Sequence, residues 1–306
     1  MTKTAFLFAG QGAQYLGMGR DLYDHNPIVK ETIDQASQIL GYDLRDLIDK
    51  DETKLNQTRY TQPAILATSV AIYRLLKEKG YLPDMVAGLS LGEYSALVAS
   101  GALGFEEAVA LVAKRGAYME EAAPAGSGKM VAVLNTPVDV IEEACKTASE
   151  VGIVTPANYN TPSQIVIGGE VAAVDRAVQL LQEAGAKRLI PLNVSGPFHT
   201  ALLEPASQQL AGALEGISFS DFICPLVGNT EAVIMEKDRI QELLTRQVKE
   251  PVRFYESIAV MQDAGVTNFI EIGPGKVLSG FVKKIDKSAK LANVEDLASL
   301  DALLGN

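Results

Sequence analysis

Gly88-Leu89-Ser90-Leu91-Gly92 stands between a short strand-like run, residues 84–89, and a helical stretch that ends near Gly101. The pentapeptide fits the pattern G-x-S-x-G, in which a sharp strand-to-helix turn lifts a serine hydroxyl clear of a sheet. The turn also puts the amide of Leu91 at a helix N-terminus, where partial positive charge can meet an oxyanion. A serine hydroxyl is a poor nucleophile until a neighbouring base takes its proton. The chain has only two histidines, His25 and His199. An imidazole base for Ser90 therefore has two candidates. The alternative reading of Ser90 is a small residue in a glycine turn.

Working outward, residues 4–8 read as a buried strand ending in Gly10-Gln11-Gly12-Ala13-Gln14, a glycine-rich loop. Apolar periodicity predicts helices over 28–40, 63–79 and 105–123, with Pro63 in the first turn of the second. Beyond His199 come a helix over 202–214, a strand over 224–227, a helix over 238–247 and a strand over 267–272. The last strand ends in Gly273-Pro274-Gly275. Strands alternating with helices indicate a parallel α/β sheet. Reactive loops in such sheets follow the carboxyl ends of strands, which singles out the loops after Phe8, Leu89 and Ile272.

The rhythm between 126 and 197 is different. A strand (130–134), a helix (138–149), two strands (153–158 and 164–167), a helix (171–184) and a strand (188–193) follow in turn. That is the βαββαβ order of a ferredoxin-like unit. The expected organisation is a large α/β domain, residues 1–125 and 198–306, carrying a small inserted domain over 126–197.

Four further residues invite a chemical reading. His199, in Ser195-Gly196-Pro197-Phe198-His199-Thr200, follows the return from the insertion, and domain junctions commonly hold clefts. His25, in Asp24-His25-Asn26-Pro27, reads as a structural histidine in a polar turn. Arg115 shares one helix face with Ala108, Leu111, Val112 and Met119. An inward arginine needs an anionic partner. That partner is either a core Asp or Glu, or a substrate carboxylate held by the guanidinium fork. The amide of Gln11 could supply a second oxyanion donor, since hydrolase-like sheets take one from such a loop. The alternative there is a plain glycine turn. By contrast, Gly126-Ser127-Gly128-Lys129 fails as a phosphate loop. Ala123 holds the place of the first glycine, Met130 follows the lysine, and a strand follows instead of a helix.

Composition bounds the classes. The 306 residues are 47% hydrophobic and 21% charged, with a net charge of −11. An acidic balance argues against nucleic acid or an anionic membrane as partner. Cys145 and Cys224 make no disulfide framework and no ligand cluster. They suit a reducing compartment, and no zinc site is expected. The apolar run at residues 5–9 is too short for a signal peptide. A cytoplasmic protein is expected.

Four motifs in order resemble malonyl-CoA:acyl carrier protein transacylases: Phe8-Ala9-Gly10-Gln11-Gly12-Ala13-Gln14, Gly88-Leu89-Ser90-Leu91-Gly92-Glu93-Tyr94, Gly196-Pro197-Phe198-His199 and Glu271-Ile272-Gly273-Pro274-Gly275. The resemblance implies a hydrolase-like α/β domain with a ferredoxin-like insertion. It implies Ser90 as the nucleophile, His199 as its base and Arg115 as the partner of the malonyl carboxylate. The amides of Gln11 and Leu91 correspond to the oxyanion hole, and the Gln247 carbonyl to the group that orients the histidine. Asn158 and Met119 correspond to substrate-side neighbours. Many members carry histidine just before the nucleophile, where this chain has Leu89.

The implied reaction is a two-step transfer from malonyl-CoA to acyl carrier protein, serving fatty-acid synthesis, with no metal, ATP or redox cofactor. A monomer is expected. Because the carrier is acidic too, a local basic patch is expected to dock it: Lys276, Lys283, Lys284, Lys287 and Lys290, with Lys187 and Arg188. Two competing readings remain at this stage. A serine esterase or thioesterase would use water as second nucleophile, and a non-catalytic carrier-docking module would need neither Ser90 nor His199.

Overall fold

The computed structural model describes residues 2–194 and 196–305; Ser195 lies outside the described residues. Two sheets organise the chain. The first contains β1 (Lys3–Phe8), β2 (Met85–Gly88), β7 (Val266–Ile272) and β8 (Lys290–Val294). The second contains β3 (Lys129–Leu134), β4 (Val154–Thr161), β5 (Gln164–Gly169) and β6 (Arg188–Pro191).

The first sheet runs β2-β1-β7-β8 and every pair is parallel. Ala5, Phe6, Leu7 and Phe8 have no solvent exposure. Such a continuous apolar run is what a strand buried on both faces requires. Phe6 and Phe8 pack edge-on to Tyr73 of the helix Thr58–Glu78. On the opposite face Ala5 and Leu7 share a core with Phe254 and Phe281. The register pairs Phe8 with both Gly88 and Ile272. All three glycine-bearing loops therefore leave the sheet side by side at its carboxyl edge.

The second sheet has the order β4-β5-β3-β6 with every pair antiparallel. With the helices Val138–Ala148 and Val171–Glu183 in sequence between the strands, this is the ferredoxin-like arrangement. An isolated bridge from Asn158 on β4 to Val252, and the bond Tyr159 N–H to Val252 O (2.8 Å), tie it to the larger part of the chain.

Two expectations need correction. The helix expected to open at Pro63 begins at Thr58 and holds Pro63 inside it. The turn ahead of the proline is fixed from outside the helix. Thr61 Oγ1 donates to Leu55 O (2.5 Å), and Glu120 Oε2 accepts the Arg59 amide (3.1 Å). These bonds offset the carbonyl that proline leaves without a donor. The segment 224–227 forms only isolated bridges, Val86 with Leu226 and Val227 with Ile234. Its apolar residues lie against the β2 edge without extending the sheet.

Candidate active site

Gly88 and Gly92 make the Ser90 turn possible. A Cβ on Gly88 would lie 2.0 Å from the Gly92 carbonyl carbon, and one on Gly92 would lie 2.1 Å from Phe8 O. No side chain fits at either place. Ser90 itself has φ 54° and His199 has φ 60°. Such strain costs on the order of 1–3 kcal/mol per residue, and it persists where surrounding contacts over-determine the conformation.

The two strained residues face each other. Ser90 Oγ lies 2.7 Å from His199 Nε2, and His199 Nδ1 lies 2.6 Å from Gln247 O. A proton on Nδ1, donated to that carbonyl, leaves Nε2 as the acceptor for the serine hydroxyl. His199 is 3% exposed. Burial, then the nearby Arg115 charge, press its pKa down to about 4, so the ring is neutral at physiological pH. Gln247 takes its place at the C-terminus of the helix Ile240–Gln247. No aspartate or glutamate is needed to complete a triad, because a main-chain carbonyl orients the ring.

Arg115 lies beneath Ser90, 1% exposed, on the buried stripe of the helix Phe105–Ala122. Its Nη1 donates to Gln62 Oε1 (2.8 Å), and its Nη2 to Gln247 Oε1 (3.1 Å) and Ser90 Oγ (3.3 Å). Nε has no partner, and the guanidinium lies 5.2 Å from the Tyr94 ring centroid. Every acceptor bonded to it is neutral. The core-salt-bridge reading of Arg115 thus finds no carboxylate at contact distance among the described residues. A buried guanidinium without an anion in contact is a costly arrangement; the buried Glu93 acts on it through space and does not touch it.

A cavity of about 610 Å³ opens above Ser90, lined by Gln11, Met119, Asn158, Asn160 and His199 among others. The amides of Gln11 and Leu91 donate no hydrogen bond among the described residues, and both flank the Ser90 turn. The Gln11 side chain is tied down by Thr58 and Gln62. Met119 Sδ accepts from Gln62 Nε2 (3.3 Å). Asn158 and Asn160 sit on β4, so the small sheet forms one wall. His25 stands apart, exposed, with Nδ1 2.8 Å from Asp21 O. Lys129 of the rejected phosphate loop opens β3 and pairs with Asp175 (2.6 Å).

Sequence reasoning missed Gln62, Glu93 and Asn229. Gln62 stands just ahead of the apolar run that opens at Pro63, outside the helix read from the sequence, so the face argument that exposed Arg115 does not reach it. Glu93, quoted within the serine motif, is wholly buried, and burial pushes its carboxyl up to about 7. Asn229 sits 139 positions from the serine it bonds, and no local pattern marks it.

Residues 5–302 match the acyl transferase domain family. The chain belongs to the acyl transferase family. Among relatives, it is 47% identical over 304 residues to the malonyl CoA-acyl carrier protein transacylase of Bacillus subtilis strain 168, covering 98% of this chain and 96% of that one. Among solved structures, it is similar to MCAT from Streptococcus pneumoniae, with TM-score 0.98 and 83% identity over 99% of both chains. It is also similar to a malonyl-transacylase solved in complex with its type II PKS acyl-carrier protein, with TM-score 0.96 and 45% identity over 100% of both chains. As a member of this family, the chain is an acyltransferase with an α/β fold of one parallel and one antiparallel sheet.

Proposed function

We propose that the chain moves malonyl groups from malonyl-CoA to the phosphopantetheine thiol of acyl carrier protein, through an ester on Ser90. The observation that carries this reading is Arg115, buried, bonded only to neutral acceptors and 3.3 Å from Ser90 Oγ. A carboxylate held there lies close to the carbonyl under attack. A malonyl thioester, with a single methylene between its carbonyl and its carboxylate, meets that spacing. A plain acyl ester leaves the guanidinium unpaired.

His199 Nε2 takes the Ser90 proton as Oγ attacks the thioester carbon. The amides of Gln11 and Leu91 stabilise the tetrahedral oxyanion. The C–S bond breaks, and His199 returns its proton to the CoA thiolate. The carrier thiol then gives its proton to His199 and attacks the malonyl-serine carbonyl. The C–O bond breaks and Ser90 recovers the proton. Thioester, ester and thioester follow one another with no change of oxidation state and no external energy, so the reaction calls for no cofactor. Gln247 orients the base through its carbonyl, while Met119 and Asn158 contact the acyl donor.

The carrier docks, in this reading, on Lys276, Lys283, Lys284, Lys287 and Lys290, with Lys187 and Arg188. All seven are exposed and none is ion-paired among the described residues. The helix Val277–Ile285, between Lys276 and Lys287, packs against β4, which bears Asn158. The insertion spans 126–197, and the protein works as a cytoplasmic monomer in fatty-acid synthesis.

Initial rates with both substrates varied test the two-step course. Parallel double-reciprocal lines, and an acyl-enzyme that outlasts minutes in buffer yet discharges on adding carrier protein, are expected. Rapid loss of the ester to water would make the protein a thioesterase.

A further inference from the structure

We infer that Asn229 is a positioning residue: its buried amide locks the Ser90 turn to the Gln247 segment and so holds nucleophile, base and guanidinium in register. The inference rests on the transferase reading above and names a device within the same site.

Asn229 is 1% exposed, and all four of its polar groups have partners. Oδ1 accepts from the Ser90 amide (2.8 Å) and from Gln247 Nε2 (3.1 Å), while Nδ2 donates to Gly88 O (2.6 Å). The main-chain N–H donates to Glu93 Oε2 (2.7 Å), and the carbonyl accepts from the Arg253 amide (2.9 Å). One side chain thus bonds both sides of the turn that carries Ser90, at Gly88 and at Ser90 itself. An acceptor with two lone pairs beside a donor is what an amide supplies and an ionised carboxylate does not. These bonds help over-determine the strained Ser90 conformation.

The second half of the device is Gln247. Its Nε2 donates both to Asn229 Oδ1 and to Ser90 O (3.0 Å). That fixes which end of the amide faces which neighbour. Oε1 is left to accept from Arg115, and the same residue's main-chain carbonyl orients His199. A flipped Gln247 would point N–H groups at a guanidinium. Asn229 therefore sets the polarity of Gln247 as well as the place of Ser90. Its own loop is stapled. Glu231, two residues on, bonds Arg239 Nη1 (2.7 Å) and Arg246 Nη1 (2.7 Å), and Arg246 adjoins Gln247.

Asn229→Ala and Asn229→Asp test the idea. An ionised aspartate cannot donate to Gly88 O, whereas a protonated one can, and burial favours the protonated form. The titratable groups around the position are Glu93 and Arg253 on its own backbone, and Arg115 and His199 beyond Gln247. Rates are therefore taken as ratios to the unsubstituted protein at each pH, which removes the titrations common to both. Single-turnover acylation is measured per active site, counted with a fluorophosphonate that labels Ser90, at a temperature well below each Tm. Asn229→Ala is expected to lose about 10²-fold at every pH, the scale of an ångström of misplacement. Asn229→Asp is expected to show a similar loss at pH 8 and to recover to within about tenfold at pH 5.5; a buried aspartate also makes folding pH-dependent, and counting labelled sites at each pH removes that loss from the ratio. Should Asn229→Ala fail to fold, the pH dependence of Asn229→Asp alone decides. Full rates per counted site, or an Asn229→Asp ratio that does not change with pH, overturn the inference. Fluorophosphonate labelling rates need only Ser90 and its base. They keep testing Asn229 even if the unsubstituted protein takes no malonyl group, a result that would instead defeat the transferase reading.

Discussion

Replacing Arg115 with alanine should turn a malonyl-selective site into an unselective one. Three of the five guanidinium N–H groups are used, on Gln62, Gln247 and Ser90, and the bond to Ser90 is the longest at 3.3 Å, so a bound carboxylate can take that Nη2 donor together with the second Nη1 hydrogen across the end of the fork. Two charge-assisted bonds to a bound carboxylate, at roughly 1.5–3 kcal/mol each, amount to about 3–6 kcal/mol. At 1.4 kcal/mol per decade this is on the order of 10²–10⁴ in kcat/KM for malonyl-CoA. Acetyl-CoA has no carboxylate to lose. Its acylation should change by less than tenfold, since His199, Ser90 and the turn amides remain. The assay is competitive acylation of Ser90 by malonyl-CoA and acetyl-CoA, with each ester resolved by mass. Equal losses for the two donors would refute the argument and make Arg115 a structural residue. Retained selectivity would place the carboxylate elsewhere.

Other outcomes follow from the same geometry. The pKa of His199 is pressed from its ordinary 6.5 to about 4, so the acidic limb of acylation should lie near pH 4 and not near 6.5. Because the unfolded chain protonates first, this depressed pKa costs stability as pH falls from 6.5 to 4, by roughly 3 kcal/mol in all. Denaturant titration of His199→Gln, which lacks the titration, should show a shallower acid loss than the unsubstituted protein. Glu93 works in the opposite sense. Its carboxyl is raised from 4.5 to about 7, so its contribution is present below pH 4.5 and lost as pH rises through 7. Glu93→Gln should therefore gain stability relative to the unsubstituted protein as pH rises from 4.5 to 7, with the gain level above that, and a gain that is the same at pH 4 and pH 8 would contradict the assignment. Reversing Lys283 and Lys284 to Glu should raise the KM for carrier protein several-fold at low salt and leave acylation by malonyl-CoA unchanged.

The parts legible in the sequence were those set by local rules. The elbow needs glycine on both sides of Ser90 because backbone passes within about 2 Å of where their Cβ atoms would sit, and that leaves a readable pentapeptide. Arg115 stood out because helical period alone places it on the apolar face. The order of strands and helices over 126–197 specifies the small sheet, because βαββαβ has one common way of pairing. What stayed hidden acts across long separations. Asn229 is bound to Gly88 and Ser90 through main-chain atoms, which leave no side-chain pattern to read. Thr58–Gln62 form a helical turn that Leu55 and Glu120 hold from outside it, whereas the preference of proline for a first turn reads Pro63 as the start. The segment 224–227 is apolar enough for a strand but pairs at single points, a matter of tertiary geometry that composition does not carry.

The most direct test of the transfer is the mass of the intact protein after brief mixing with malonyl-CoA, with a Ser90→Ala sample alongside. One malonyl adduct per chain, absent from Ser90→Ala and removed by acyl carrier protein with loading of the carrier, is expected. An adduct that survives in Ser90→Ala, or CoA released steadily with no adduct and no loaded carrier, would contradict the assignment of Ser90 as the group that carries the malonyl ester.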